Sequence, residues 1–163
     1  AGTVQFNPMG YHTGSIWPHD NSIVAAGLCR YGQKPRAARL LEGLFAAAHD
    51  VERRGLPELY CGFGASGMPH LVSYPSACSP QAWAAGSPFL CLKALIGLEI
   101  DMTREGDKIS LNDPYLPKDL DRLVIEGLPL GDHAATVQVE RRAAGGFDGK
   151  IEMTAGRRHR AVS

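Results

Sequence analysis

The stretch from Ala82 to Leu98 constrains the fold more than any other, because it is apolar on nearly every side of a helix and is relieved mainly by Ser87 and Lys93. Ser79 offers an N-cap and Pro80 a first-turn position, so the spacing predicts a helix over 80–98. A helix of that composition needs neighbours all round it. The rest of the 163 residues supplies two more helices and a few short strands, too little surface to enclose it. The chain is therefore expected to be the closing piece of a larger helical assembly.

The first of the other helices is expected from Trp17-Pro18 to Arg30. A proline at the first helical position forfeits no hydrogen bond, and Gly32 closes the end. Ile16, Asp20, Ile23, Val24, Gly27 and Leu28 recur at helical spacing on one face, which sets the carboxylate of Asp20 among apolar neighbours. The second helix, from about Pro35 to Glu52, carries a stripe of Ala37, Leu40, Leu41, Leu44, Phe45 and Ala48, with Arg36, Arg39 and Glu42 off it. Between Gly55 and Cys78 lies a long connection rich in Gly, Pro, Ser and Tyr, of a length that in compact domains usually serves function.

Beyond Asp101 the pattern becomes β-branched and alternating. Short strands are expected at Lys108–Leu111, Leu123–Glu126, Thr136–Arg141 and Lys150–Thr154, with Asp148-Gly149 as a tight turn. The expected organisation is a helical part, 1–100, and a β-rich extension, 101–163: mainly α with a small C-terminal antiparallel β tail. The basic end Arg157-Arg158-His159-Arg160 reads as a solvated tail.

Lys and Arg number 17 against 17 Asp and Glu, so the bulk basicity of a nucleic-acid binder is missing. No apolar run approaches the roughly 20 residues of a membrane span, and no charged-then-apolar leader pattern opens the sequence, so a soluble cytoplasmic chain is expected. Cys29, Cys61, Cys78 and Cys91 lack metal-site spacing and read as free thiols, and His12 and His19 have no partner at ligand spacing, so no metal is expected. There is no phosphate loop, dinucleotide fingerprint or HExxH, and Gly64-Ala65-Ser66-Gly67 lacks the spacing of a nucleophile elbow.

What stands out is polar residues set among aromatics in three segments: YHTGSIWPHDN (Tyr11–Asn21), LPELYCGF (Leu56–Phe63) and YPSACSPQAW (Tyr74–Trp83). Saccharides are held by flat aromatic faces and a few fixed polar groups, and their hydrolysis uses carboxylates flanking the glycosidic bond. In that order, followed by GLEID and a β tail, these segments resemble the C-terminal region of bacterial amylo-α-1,6-glucosidase-like, or glycogen debranching enzyme-like, glycoside hydrolases. The resemblance implies the closing helices of an (α/α)6 toroid and an inverting α-glucosidase acting on α-glucans or oligosaccharides without a cofactor.

By the same resemblance Glu58 is the general base, and Trp17, His19, Asp20 and Asn21 form the sugar-binding wall. Gln81 and Trp83 support the base. The general acid is expected outside this chain, and the missing N-terminal part of the toroid or a second copy is the expected partner. A noncatalytic carbohydrate-contacting or interaction fragment is the alternative reading of the same residues.

Overall fold

The computed structural model describes residues 5–49, 55–64, 71–101, 103 and 108–155. Among the described residues three helices are followed by five strands, and the chain divides into two compact units, Ala1–Leu92 and Lys93–Ser163. Among the described residues helix accounts for 32% and extended structure for 28%, the latter including two antiparallel sheets, so this is a mixed helix-and-sheet structure. This overturns the expected mainly α fold and the closing helices of a toroid. The Ala- and Leu-rich pattern predicts helix through Leu98, whereas the helix ends at Leu95, the chain turns at Gly97 (φ 63°) and a strand begins at Leu98.

In the first unit, α1 (Pro18–Arg30) begins and ends where its proline and glycine signals place it. Trp17 is extended at the N-cap, Asp20 lies in the first turn where it complements the helix dipole, and Gly32 at φ 70° closes the other end with Gln33 N–H donating to Leu28 O at 2.8 Å. The buried row is Pro18, Ser22 and Ala25. The face carrying Ile23 (52% exposed), Val24 (55%) and Asp20 is open within the described structure, a correction to the reading that set Asp20 among apolar neighbours.

Helix α2 (Lys34–His49) packs against α1 and buries Ala37, Ala38, Leu41, Leu44 and Ala47, while Phe45 of the expected stripe is half-exposed. Its expected continuation to Glu52 lies outside the described residues, as do Ala65–Gly67 and the basic end Arg157–Arg160.

Helix α3 (Ala82–Leu95) starts two residues later than its Ser-Pro signal, because the carbonyl of Gln81 takes the first helical bond from Ala85 N–H at 2.9 Å and the Gln81 Oε1 accepts from Ala82 N–H at 3.0 Å. Gln81, not Ser79, is thus the N-cap. Ala84, Ser87, Cys91 and Leu95 form its buried row at i, i+3, i+4 spacing, and Ser87 Oγ donates to Trp83 O at 3.1 Å. Trp83 (48%) and Phe89 (74%) are exposed. The helix that composition required to be enclosed is therefore covered on one side only among the described residues.

In the second unit, β1 (Leu98–Asp101) pairs antiparallel with β2 (Lys108–Leu111), and β3 (Arg122–Leu130), β4 (His133–Arg141) and β5 (Phe147–Ala155) form a meander in that order. Ala135, Val137 and Val139 alternate inward along β4, as the period-two pattern predicts. Asp148-Gly149 is not the turn expected of it, since these residues sit inside β5 opposite Glu140 and Val139. The reversal falls at 142–146, where Arg142 N–H donates to Gly146 O at 3.0 Å. Gly149 instead lets β2 approach β5, since a Cβ there would come within 2.8 Å of the Leu111 side chain.

Arg141 fastens this unit. Its Nε pairs with Asp121 Oδ1 at 3.1 Å, its Nη2 lies 2.6 Å from Pro117 O and 3.2 Å from Leu120 O, and its guanidinium rides 5.0 Å above the Phe147 ring. A lysine offers neither the planar stack nor the fork. Arg141→Lys is expected to lower the unit's stability by about 1–3 kcal/mol, read as a lower urea midpoint with unchanged slope.

The four cysteines are free, and burial pushes the Cys91 thiol up to about 11. No described helix is long and apolar enough to cross a membrane.

Candidate functional site

The site is assembled by a loop and two short extended segments of the first unit. Residues 7–15 curl into a compact loop in which Gly10 N–H donates to Asn7 O at 2.7 Å and Ser15 Oγ to Gly10 O at 2.8 Å. The loop is sewn to the LPELYCGF segment by paired bonds between Ile16 and Tyr60 (2.8 and 2.9 Å) and by Gly62 N–H donating to Pro8 O at 2.8 Å. Tyr60 also bridges Ser73, and Cys61 N–H donates to Val72 O at 2.9 Å, so the connection expected to be irregular is a narrow ladder where described. Beneath it Tyr60, Leu56, Ala47 and Ala84 form a small core, with Tyr60 O–H donating to Ala47 O at 3.3 Å.

That framework sets Glu58 by two bonds. Its N–H donates to Cys78 O at 2.9 Å, and its Oε1 accepts the Tyr11 hydroxyl at 2.6 Å. The Tyr11 ring meets His12, Trp17 and Tyr74 edge-on, at centroid distances of 4.7, 4.8 and 5.7 Å. Trp17 donates its Nε1–H to Tyr11 O at 3.1 Å, lies parallel to His12 at 5.9 Å and meets Trp83 edge-on at 6.5 Å. His19 stacks on Trp83 at 5.3 Å, with Asp20 Oδ1 at 3.8 Å from its Nδ1. One continuous series of contacts thus runs from the Glu58 carboxylate through Tyr11, Trp17, Trp83 and His19 to Asp20.

Glu58, Trp17, His19, Asp20 and Trp83 are thereby brought together. Asn21 and Gln81 are occupied otherwise. The Asn21 amide donates to Trp17 O at 2.8 Å, and its residue lines an apolar cavity of about 210 Å³ with Ile16, Pro18, Leu44 and Tyr60; Gln81 caps α3. A second apolar cavity, of about 370 Å³, lies between Phe45, Leu56, Pro88 and Phe89, and neither cavity is lined by Glu58 or Tyr11.

Sequence reasoning left Tyr11 out of the site. Its partner is 47 residues away, and no local spacing reports such a pairing. The bond to Glu58, with burial and the carboxylate's charge adding to it, pushes the Tyr11 phenol from 10.0 up to about 12. Among the described residues no group of three or more His, Cys, Asp or Glu is placed to hold a metal ion.

Chemically, the site is a carboxylate locked by a phenol at the head of an array of partly exposed aromatic faces. No family model matches the chain, and no curated protein matches it significantly.

Proposed function

We propose that this surface belongs to an inverting α-glucosidase of the debranching type acting on α-glucans, with Glu58 as general base and the general acid contributed from outside this chain. The observation that carries the reading is the Glu58 carboxylate at one end of the Tyr11–Trp17–Trp83–His19 series. The order of the three motifs, with their likeness to debranching-type enzymes, supports it. Aromatic faces with polar neighbours suit the apolar faces and hydroxyl edges of a pyranose. In inversion the base takes a proton from a water as that water attacks the anomeric carbon, while an acid about 6.5–9.5 Å away protonates the leaving oxygen on the opposite side. Glu58 is suited to the first role because only one of its oxygens is engaged by Tyr11.

Both tryptophans of the chain, Trp17 and Trp83, belong to this array, so tryptophan fluorescence reports on it alone. Titration of the full chain with maltoheptaose is expected to give a saturable fluorescence change, and Trp17→Ala to weaken the affinity about tenfold, corresponding to ~1.4 kcal/mol. Absence of any saturable response rejects the reading. A saturable response without turnover of α-glucosyl fluoride, a substrate whose leaving group needs no acid, assigns the surface to carbohydrate contact without catalysis.

A further inference from the structure

We propose that Tyr11 is the positioning residue for Glu58: its hydroxyl, donated to Oε1, fixes the rotation of the carboxylate so that Oε2 is the oxygen that meets the attacking water. The inference rests on the reading of Glu58 as the base and assigns that base an orienting partner.

Three observations carry it. The O···O distance of 2.6 Å lies in the range of a charge-assisted bond to an ionised carboxylate, the state a general base must hold before it accepts a proton. The donor is restrained, because Trp17 Nε1–H holds the Tyr11 carbonyl and His12, Trp17 and Tyr74 flank the ring edge-on. The acceptor is likewise restrained, since Glu58 N–H is bonded to Cys78 O. A carboxylate with one oxygen bonded to a restrained hydroxyl is biased towards presenting its other oxygen, and such pre-orientation is where positional control of a reacting group comes from.

The bond is not needed to hold the loop. The Ile16–Tyr60 pair and the Gly62–Pro8 bond already attach residues 8–16 to the 58–62 segment. The phenol also keeps its proton: Glu58, Tyr74, Cys78 and His12 are the titratable groups around it, and the pairing with Glu58 keeps it neutral far into the alkaline range. Tyr11 therefore orients the carboxylate without exchanging a proton with the water.

The test uses the full chain, its Tyr11→Phe and Glu58→Gln variants, ring-¹³C-tyrosine NMR and turnover of α-glucosyl fluoride. At about pH 11 an ordinary tyrosine is mostly ionised. The resonance missing from Tyr11→Phe is expected to remain that of a neutral phenol in the unmodified chain. Tyr11→Phe is expected to lower kcat about 10–100-fold with KM changed less than about threefold, the pattern of a misoriented group rather than a lost binding contact. A Tyr11 resonance that ionises with the other tyrosines in the unmodified chain overturns the clamp. Normal kcat in Tyr11→Phe beside a disabled Glu58→Gln overturns the positioning role and leaves the base in place. An unmodified chain without turnover, or a Glu58→Gln variant with full turnover, removes Glu58 as base and this inference with it.

Discussion

Glu58→Gln is expected to lower kcat on α-glucosyl fluoride by about 10²–10⁴-fold, the usual worth of a positioned general base, while the fluorescence-detected affinity for maltoheptaose stays within about threefold. The amide keeps the shape of the carboxyl and retains an oxygen to accept the Tyr11 hydroxyl, so the loop at 7–15 is undisturbed. What it lacks is basicity. A departing fluoride needs little help from an acid, so the substrate isolates the base step from acid catalysis. Turnover within a few-fold of the unmodified chain would exclude Glu58 from that step.

Gly62→Ala is expected to destabilise the helical unit by about 2–4 kcal/mol and to abolish the maltoheptaose response. A Cβ at this position would stand 1.7 Å from the carbonyl oxygen of Gly14, a contact of backbone on backbone with no flexible side chain to yield. Relief requires the loop at 8–15 to lift, which breaks the Gly62–Pro8 bond and withdraws Tyr11 from Glu58. Urea unfolding followed by tryptophan fluorescence reads both consequences, since both tryptophans lie in that unit. Gly43 in α2 is the internal control. A Cβ there meets nothing within 4 Å, so Gly43→Ala should stabilise by roughly 0.5–1 kcal/mol through helix propensity. Equal effects at the two glycines would show that the close approach at Gly62 does not bind the loop to the site.

The pairing of Tyr11 with Glu58 also predicts a pH dependence. The folded chain holds the Tyr11 proton up to about pH 12, whereas the unfolded chain releases it near 10.0. The bond's contribution to stability is complete below the lower value and is lost as pH rises through the higher one.

Much of the local structure was legible in the amino-acid order alone. Pro18 and Gly32 bracket α1, Lys108–Leu111 is a strand, and the alternation around Val137 and Val139 marks the inward face of β4. These features depend on a residue's own backbone preferences and on spacings of two to four, so neighbouring residues suffice to determine them. Tertiary structure decided the rest. Asp148-Gly149 has the chemistry of a turn, yet it pairs with Glu140 and Val139 within a strand and the reversal falls at 142–146. The apolar run after Ala82 cannot reveal where helix yields to strand, because helix and strand interiors accept the same residues; the pairing of Leu98 with Leu111 settles it. Nor can periodicity say which face of α1 is covered, since that depends on what packs beside it, and Pro18, Ser22 and Ala25 won over Ile23 and Val24. The motifs carrying Glu58, Trp17 and Trp83 were each visible as short strings. Their convergence, and the entry of Tyr11 between them, required two segments 47 residues apart to be stitched edge to edge, which is a property of the folded chain and of no window within its sequence.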